Sequence, residues 1–373
     1  MSMNNTDTTY MQRCIELALK GESSSKPNPR VGCIIVKDGQ VIAEGWHQFA
    51  GEMHAEVHAL NQLGASASGS SLYVTLEPCS HHGKTAPCCD AIIAAGVSKV
   101  VYGMIDPNPE VAGKGINKLK AVGVEVVGPL LAEQCAELNP GFIKRMTSAL
   151  PYVRCKMAMS SDGRTAMASG ESKWITGEEA RQDVQLWRAR SSAIITGIGT
   201  ILADDPSLNA RVEGIELKQP LRVICDSQMR LPANAKTLKT PGEILLVTAT
   251  EKVFQKPADQ KNTDTVAKLE QLALPGSDNE IDLQALLLYL AQEKECNEVL
   301  VEAGSTLAGA FIKAGLVDEI ILYMAPKLLG HNGLPLFTIP GLENMEDRIE
   351  LEYTDVSLLG KDCRMRVRVL KNH

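Results

Sequence analysis

The chain has 373 residues, which is long for one domain and sufficient for two. Its hydrophobic content of 44% and charged content of 22% are those of a globular protein with a sizeable core. A net charge of −7 without a long basic run argues against a nucleic-acid partner, whereas a small phosphorylated ligand needs only one or two basic residues.

Targeting and membrane signals are not found in the sequence. Residues 1–7 are polar and slightly acidic, without the charged and then apolar pattern of a signal peptide. No apolar run is long enough to span a bilayer, so no membrane partner is expected. The ten cysteines are scattered except for Cys79, Cys88 and Cys89, which disfavours a secreted disulfide framework. We therefore expect a protein of the reducing cytoplasm.

Helices and strands are predicted to alternate along the first half. Apolar residues at helical spacing over residues 11–19 predict a first helix, with Gly21 as its C-terminal cap. The turn at Asp38-Gly39 between two β-branched runs predicts a hairpin. The hairpin strands are expected over 31–36 and 41–43, later strands over 72–76, 100–104 and 124–127, and later helices over 55–63, 91–95, 116–122 and 131–138. The sequence Asn139-Pro140-Gly141 then predicts a break in the chain.

A second alternating unit is predicted from about Pro151 onward. Its strands are expected over 152–157, 193–196, 221–225, 243–248, 299–302 and 319–324, and its helices over 178–189, 281–293 and 306–314. Residues 255–279 are polar with several Pro and Gly, which predicts a variable surface excursion. The sequence has no repeat of fixed period, so the two halves are interpreted as two different α/β domains.

A pattern of zinc ligands stands out in the first half. His54-Ala55-Glu56 is followed by Pro78-Cys79 and then by Cys88. Three protein ligands leave the fourth position of the metal open for water, as in catalytic sites, and zinc lowers the pKa of that water to about 7. Glu56, which is not a ligand, can carry the proton to a leaving ammonia. The pattern is the signature of zinc-dependent deaminases.

The spacing of the cysteines leaves two questions open. Eight residues separate Cys79 from Cys88, and Cys89 follows directly, so spacing alone does not choose between Cys88 and Cys89. His81 or His82 as a fourth ligand would instead close the site and make the zinc structural.

The placement of the His-x-Glu pair sets a further condition. Residues two apart do not share a face of a regular helix. His54 and Glu56 therefore reach one site only at the irregular first turn of a helix. Both ligand groups lie where a strand meets a helix, the edge of an α/β sheet at which active sites usually form.

Three glycine-containing loops in the second half are candidates for a nucleotide site. A buried strand runs into Gly304-Ser305-Thr306 at the start of a helix, where backbone N–H groups can hold a phosphate or a hydroxyl can simply cap the helix. Residues 194–206 form a second such loop, with the acids Asp204 and Asp205. Residues 156–164 form the third, and Trp174 beyond them is either a core aromatic or a shelf for a nicotinamide ring. No standard Gly-x-Gly-x-x-Gly fingerprint is present.

These motifs together resemble the bifunctional deaminase/reductase family of riboflavin biosynthesis. The resemblance rests on residues 27–32, 54–56, 75–88 and 106–109 in the first half, and on residues 161–164, 202–206 and 302–304 in the second. It covers nearly the whole chain, and the long cysteine spacing is part of the family pattern. It implies a cytidine-deaminase-like three-layer domain over residues 1–148 and a dihydrofolate-reductase-like α/β domain over residues 149–373.

The resemblance also implies two reactions and two cofactors. The first domain, with Zn²⁺, would deaminate 2,5-diamino-6-ribosylamino-4(3H)-pyrimidinone 5′-phosphate by zinc-hydroxide attack. The second would use NADPH to reduce the ribosyl side chain of 5-amino-6-(5-phosphoribosylamino)uracil to ribityl. Partners would be small phosphorylated pyrimidines, and we expect a homo-oligomer. The sequence assigns no arginine or lysine to the adenosine 2′-phosphate, the group that distinguishes NADPH from NADH.

The site residues that the resemblance implies fall into four groups. The zinc ligands would be His54, Cys79 and Cys88. Glu56 and Lys156 would be catalytic, Glu56 as proton shuttle and Lys156 by orienting or protonating the sugar. Cofactor contacts would come from Ala158, Trp174, Thr200, Asp204, Ser227, Gly304, Ser305, Thr306, Leu307, Ala308, Gly309 and Ala310. Substrate contacts would come from Asn28, His47, Lys84, Ser172, Arg188, Leu208, Arg211 and Glu302, with Arg188 and Arg211 either as phosphate clamps or in surface ion pairs.

Two other functions remain open from the residues alone. One is deamination of a free base, nucleoside or tRNA, although the acidic charge weighs against tRNA. The other is a binding protein with a structural zinc and a degenerate nucleotide pocket. That protein would hold zinc tightly, without exchangeable water and without turnover.

Overall fold

The computed structural model describes residues 5–63, 67–81, 86–109, 111–214, 217–254 and 266–370. The chain divides into two compact units, Met1–Ala149 and Leu150–His373. Among the described residues, no helix is long and apolar enough to cross a membrane.

The first unit is built on one five-stranded sheet. Its strands are β1 (Gly32–Lys37), β2 (Gln40–Trp46), β3 (Ser71–Leu76), β4 (Lys99–Met104) and β5 (Glu125–Val127). Its helices are α1 (Asn5–Leu19), α2 (Ala55–Asn61), α3 (Cys88–Ala94), α4 (Lys114–Ala121), α5 (Ala132–Leu138) and α6 (Pro140–Ser148). The strand order is β2-β1-β3-β4-β5, antiparallel across β1 and parallel from β3 to β5.

Helices cover both faces of this sheet, because side chains alternate between the faces along each strand. Cys33 and Ile35 of β1 belong to the cluster formed with α2, α3 and α4. Ile34 and Val36 belong to the opposite cluster, with α1 and α5. The result is a three-layer α/β/α unit with a buried central strand.

The break predicted at Asn139-Pro140-Gly141 lies at Asn139, where α5 ends, but the sequence did not predict the further helix α6, which begins at Pro140. Proline is favoured at the first helical position, where its missing N–H has no intrahelical partner to lose. Asn139 instead ties the segment to the first unit: its side chain accepts from the backbone N–H of Arg30 at 2.7 Å and donates to the Arg30 carbonyl at 2.8 Å.

The second unit contains a nine-stranded mixed sheet. The strands of the whole unit, including two that lie outside this sheet, are β6 (Tyr152–Ser160), β7 (Arg164–Ala166), β8 (Ala193–Gly197), β9 (Leu221–Cys225), β10 (Gly242–Thr248), β11 (Ala267–Ala273), β12 (Glu298–Val301), β13 (Glu319–Ala325), β14 (Leu334–Pro335), β15 (Leu351–Leu359) and β16 (Asp362–Val369). Its α-helices are α7 (Glu178–Arg190), α8 (Ile198–Asp204), α9 (Lys236–Lys239), α10 (Leu283–Gln292) and α11 (Ser305–Lys313).

The strand order in this sheet is β11-β10-β9-β8-β12-β6-β13-β16-β15, and β7 pairs with β14 in a separate two-stranded sheet. The seven strands from β11 to β13 are parallel, and β16 and β15 are added antiparallel. Residues of α10 and α11 pack on one face of β6, β8 and β12, and residues of α7 pack on the other face. The carboxyl ends of the parallel strands therefore meet at one edge.

The sequence did not predict the final hairpin, β15 and β16. Arg364, Arg366 and Arg368 alternate along β16 and pair with acidic residues, so the strand lacks the apolar run that marks a buried strand. The surface excursion predicted over 255–279 is wrong in part, because β11 pairs with β10 there as the edge strand. Residues 255–265 lie outside the described residues.

Candidate functional sites

The three predicted zinc ligands come together in the first unit. His54 precedes α2, Cys79 follows β3, and Cys88 is the first residue of α3. His54 Nδ1 lies 3.2 Å from Cys88 Sγ and 3.6 Å from Cys79 Sγ. One ligand atom from each residue lies within 4.8 Å of those of the others.

This group fits a zinc ion. Zinc–nitrogen and zinc–sulfur bond lengths place the ligand atoms about 3.6 Å apart in a tetrahedral site. The backbone of His54 is extended (φ −70°, ψ 163°), so its side chain leaves the chain before the helix begins, while Glu56 lies in the first turn. That irregular turn satisfies the condition set by the two-residue spacing.

The structure separates Cys88 from its neighbour Cys89. The Cys89 thiol is not part of the ligand group, and its S–H can donate to the carbonyl of Pro78, at 3.4 Å, or of Gly115, at 3.6 Å. His81 is exposed, and His82 lies outside the described residues. The described ligand group thus has three members, as a catalytic zinc site requires.

The charges of the site suit proton transfer. The hydrogen bond with the Cys88 thiol, followed by the one with His54, lowers the pKa of the Cys79 thiol to about 4, so Cys79 is a thiolate at neutral pH. Burial, and then the nearby charge of Cys79, raise the pKa of the Glu56 carboxyl to about 7. A carboxyl with a pKa near the working pH can both take and return a proton.

Two predicted substrate contacts lie beside the metal ligands. Asn28 Nδ2 is 3.0 Å from His47 Nε2, and His47 Nδ1 is 3.1 Å from the carbonyl of Met53. The His47 ring meets the His54 ring edge-on, with centroids 5.4 Å apart. Burial lowers the pKa of His47, which favours the neutral imidazole. Lys84 lies outside the described residues.

Glu77 is a part of this site to which the sequence assigned no role. Its buried carboxylate accepts four backbone hydrogen bonds, from Asp106 (3.3 Å), Gly113 (2.9 Å), Gly115 (3.0 Å) and Ile116 (3.3 Å). These bonds fasten the start of α4 to the chain two residues before Cys79. A buried carboxylate directly before Pro-Cys was the available signal.

In the second unit, a cavity of about 1600 Å³ opens at the carboxyl ends of β6, β8, β9 and β12. Ligands of open α/β sheets bind at this edge. The cavity is lined by sixteen of the predicted reductase residues: Lys156, Ala158, Ser172, Trp174, Arg188, Thr200, Asp204, Leu208, Arg211, Ser227, Glu302, Gly304, Ser305, Thr306, Leu307 and Ala310.

The structure does not bring Ala308 and Gly309 to this cavity. Neither residue is among those that line it. Ala308 is fully buried in the core. Gly309 packs against the backbone of Thr338, whose carbonyl would lie 2.1 Å from an added Cβ.

The start of α11 is open toward the cavity. Gly304 is its N-cap, and no side chain caps the helix, so the cap by Ser305 or Thr306 considered from the sequence is not formed. Ser305 Oγ instead accepts from Thr338 Oγ1 at 3.2 Å. The unsatisfied N–H groups of the first turn remain available to an anionic group.

Charged residues converge at the β6 end of the cavity. Arg188 donates through Nε (2.6 Å) and Nη2 (2.8 Å) to the two carboxylate oxygens of Glu302, so it lies in a partly buried bidentate pair and not a surface one. The Lys156 ammonium lies 5.8 Å from the ring centroid of Tyr323. Removal from water lowers the pKa of Lys156, and the charge of Glu302 opposes this. Arg211 donates to Ser207 Oγ (2.9 Å).

Trp174 lies at the cavity with 65% of its surface exposed, so it is not a core aromatic. The guanidinium of Arg181 stacks 4.7 Å from its ring centroid. Lys173 Nζ, next to it, is 3.3 Å from Asp204 Oδ1. An exposed, supported ring can serve as a flat surface for a bound nicotinamide.

The chain is similar to known proteins over nearly its whole length. It is 47% identical over 367 residues to the riboflavin biosynthesis protein RibD of Escherichia coli (strain K12), covering 95% of this chain and 97% of that protein. The structure of Acinetobacter baumannii RibD (form 1) matches with a TM-score of 0.88 and 46% identity, over 98% of this chain and 99% of the other. A Thermotoga maritima diaminohydroxyphosphoribosylaminopyrimidine deaminase/5-amino-6-(5-phosphoribosylamino)uracil reductase matches with a TM-score of 0.86 and 34% identity, over 98% and 99%.

The fold and the two sites define a bifunctional enzyme, a zinc-dependent deaminase joined to a nucleotide-dependent reductase. Residues 4–104 match the cytidine and deoxycytidylate deaminase zinc-binding region, and residues 151–364 match the RibD C-terminal domain. The chain belongs to the RibD family. It has deaminase and reductase activities in riboflavin biosynthesis, Zn²⁺ and NADPH as cofactors, and small phosphorylated pyrimidines as substrates. The α/β class, the family and both cofactors predicted from the sequence are confirmed.

Proposed function

We propose that this chain performs two consecutive steps on one pyrimidine. It first deaminates 2,5-diamino-6-ribosylamino-4(3H)-pyrimidinone 5′-phosphate, and it then reduces the ribosyl side chain of 5-amino-6-(5-phosphoribosylamino)uracil to ribityl. The observation that carries the proposal is the presence, in one chain, of the His54–Cys79–Cys88 group and of the charged cavity around Glu302. The proposed domains are residues 1–148 for deamination and 149–373 for reduction.

In the deaminase, His54, Cys79 and Cys88 would hold the zinc ion, which when bound activates a water molecule. Glu56 takes a proton from the attacking water and delivers it to the leaving amino group, so that water is consumed and ammonia released. The pKa of Glu56, raised to about 7 by burial and by the charge of Cys79, allows both transfers. Asn28 and His47, joined at 3.0 Å, are placed to orient the ring, and Lys84 is proposed as a further substrate contact.

In the reductase, NADPH supplies the hydride when bound. It would reduce C1 of the ribosyl group, and the ring oxygen released from C1 would need a proton from the protein. Lys156 is proposed as the proton donor, since its lowered pKa favours release. The hydrogen bonds to Glu302 hold the guanidinium of Arg188 in position to contact the substrate. Arg211 lies close enough to Arg188 and Glu302 to interact electrostatically with both. The first turn of α11, which has no side-chain cap, would hold the cofactor diphosphate.

We also propose that the chain acts in the cytoplasm as a homo-oligomer without a nucleic-acid partner. An apolar stripe on the edge strand β15 supports self-association: Leu351, Tyr353, Val356 and Leu358 are each at least 43% exposed. Exposed apolar patches on a sheet edge mark association surfaces. The net charge of −7 disfavours a polyanion.

To test the proposal, the zinc-loaded protein is incubated with the diamino-ribosylamino-pyrimidinone phosphate, with and without NADPH. Ammonia release and NADPH oxidation are measured in the same samples. We expect ammonia without NADPH, and NADPH oxidation that depends on the substrate. Ammonia release from cytidine or guanine instead would support a different deaminase. Neither signal from folded, zinc-loaded protein would overturn the proposal in favour of a binding protein.

A further inference from the structure

The motif at residues 161–164 fixes the loop that connects β13 to β14. The Asp162 carboxylate accepts hydrogen bonds from the backbone N–H groups of Leu329, at 3.1 Å, and Gly330, at 2.8 Å. It also accepts one from the hydroxyl of Ser160. The bond from Ser160, followed by those from the loop, lowers the pKa of Asp162 to about 2, so the carboxylate is charged at neutral pH. One carboxylate thus holds two successive N–H groups of the loop.

Lys327 lies in this loop and binds the segment that carries Trp174. The carbonyl of Lys327 accepts the backbone N–H of Ser161 at 2.8 Å, which joins its main chain to the motif. Its ammonium donates to the carbonyls of Trp174, at 2.8 Å, and Ile175, at 2.7 Å. An ammonium has three donors, and two consecutive carbonyls occupy two of them. Lys327 therefore connects the motif to the backbone of Trp174.

Arg181 completes the support of the same segment. Its Nη1 donates to the carbonyl of Thr176 at 2.8 Å, and its guanidinium stacks 4.7 Å from the ring centroid of Trp174. The three consecutive carbonyls of residues 174–176 are thus bound by two cations, and hydrogen bonds from charged donors are stronger than those between neutral groups. With 65% of its surface exposed, Trp174 is held by these contacts and not by burial in a core.

The positions of these residues distinguish holding the segment from binding the cofactor. Trp174, Ile175 and Thr176 line the reductase cavity, whereas Asp162 and Lys327 do not. A side chain outside the cavity can affect a bound cofactor only through the residues that it holds. Hydride transfer is sensitive to such support, because a small displacement of the reacting groups slows a reaction strongly.

We propose that Asp162 and Lys327 are positioning residues of the reductase. Asp162 fixes the loop between β13 and β14, and Lys327 holds the Trp174 ring in the orientation that receives the nicotinamide of NADPH. The proposal rests on the reductase function proposed above. It gives the motif at residues 161–164 a role in cofactor orientation that is exerted from outside the cavity.

The test is a double-substitution cycle of Lys327→Met and Trp174→Ala. For Lys327→Met we expect kcat/KM for NADPH to fall about tenfold, while the affinity for 2′,5′-ADP, which has no nicotinamide, stays within about twofold. In the Trp174→Ala background, Lys327→Met should have no further effect, because both changes act through the same ring. Lys327→Arg can donate to the same carbonyls and should keep most of the wild-type rate.

Two further variants complete the comparison. Asp162→Asn should lower the same rate by a smaller factor than Lys327→Met, since an amide keeps one of the two acceptor oxygens. Lys268→Met is the matched control, because Lys268 is 81% exposed and pairs with Glu243 on the edge of the sheet. It should match the wild type in every assay.

Three outcomes would overturn the proposal. An unchanged kcat/KM for NADPH in Lys327→Met would show that the ring keeps its orientation without the ammonium. A loss that multiplies with that of Trp174→Ala would show that Lys327 acts by another route. An equal loss of 2′,5′-ADP binding would give Lys327 a general structural role only. In each case a wild type that oxidises NADPH leaves the reductase function intact, whereas its failure to do so would refute that function first.

Discussion

The two sites of this chain differ in size and in the number of residues that form them. In the first unit, three ligand atoms from His54, Cys79 and Cys88 lie within 4.8 Å of one another, each held at the end of a regular element. In the second unit, a cavity of about 1600 Å³ gathers side chains from four strand ends and the helices and loops around them. The first site depends on a few short distances, and the second depends on the arrangement of a whole sheet edge.

This difference determines how each site responds to change. A zinc site loses its metal when one ligand is lost, because the ion needs every bond. A cofactor cavity spreads binding over many contacts, so single changes in it should shift affinity, orientation or selectivity by smaller factors. Substitutions in the two units should show that contrast.

In the first unit, substitution of Cys88 should remove zinc binding, whereas substitution of the adjacent Cys89 should not. Cys88→Ser should reduce zinc affinity by more than about a hundredfold and should abolish ammonia release. This loss is larger than the one expected for a residue that only hydrogen-bonds to a ligand. Cys89→Ser is the matched control, since a hydroxyl there still has the carbonyls of Pro78 and Gly115 as acceptors. Zinc content by atomic absorption and ammonia release measure both. Equal zinc loss in the two variants would contradict the assignment.

In the second unit, Glu302→Gln should slow reduction about thirtyfold or more, because Arg188 loses a bidentate ionic partner in a partly buried place. Deamination by the same variant should stay at the wild-type rate. Glu270→Gln, at an exposed ion pair with Lys294, provides the control. A reduction rate that is unchanged in Glu302→Gln would show that the ion pair does not position the substrate.

Glu77→Gln should have an intermediate effect that appears in metal binding. An amide offers one acceptor oxygen in place of two, so part of the fourfold hydrogen bonding near Cys79 is lost. We expect zinc affinity, measured by competition with a chelator, to fall about tenfold, with NADPH oxidation unaffected. Glu125→Gln on the exposed end of β5 should change neither.

The smallest effect on catalysis is expected at the edge of the second sheet. Leu358, 78% exposed on β15, should contribute to self-association through its apolar surface. Leu358→Lys should lower the mass measured by sedimentation equilibrium toward that of one chain, with both activities kept within about twofold, since no residue of β15 belongs to the zinc group or lines the reductase cavity. A wild type that sediments as a monomer would contradict the proposed homo-oligomer.

The zinc group was the part of the site most accessible to sequence reasoning. His54, Glu56 and Cys79 lie in short motifs at strand-to-helix transitions, where local chain direction places the side chains. The spacing could not decide whether Cys88 or Cys89 is the third zinc ligand, because the answer depends on which of the two side chains the first turn of α3 directs toward His54. The role of Glu77 could not be predicted, since a Glu directly before Pro-Cys does not reveal its four hydrogen-bond partners, which come from a segment about thirty to forty residues later.

The reductase cavity was predicted less completely, for a physical reason. The Gly304 turn is local and its place at the start of α11 was predicted. Ala308 and Gly309 were included with it, but Ala308 is buried in the core and Gly309 packs against the backbone of Thr338. Ser227 was assigned through the resemblance alone, since only the order of β9, β8, β12 and β6 in the sheet brings the end of β9 to the cavity that Lys156 lines. The hairpin of β15 and β16 was missed because its charged residues alternate as on a surface.

The central claim is that one chain holds two separate active sites, and a paired comparison of Glu56→Gln and Lys156→Met tests it most directly. Each variant is supplied separately with the diamino substrate and with already deaminated substrate plus NADPH. The account predicts that Glu56→Gln loses ammonia release and still oxidises NADPH at the wild-type rate, and that Lys156→Met does the reverse. Loss of both activities in either folded, zinc-loaded variant would contradict it.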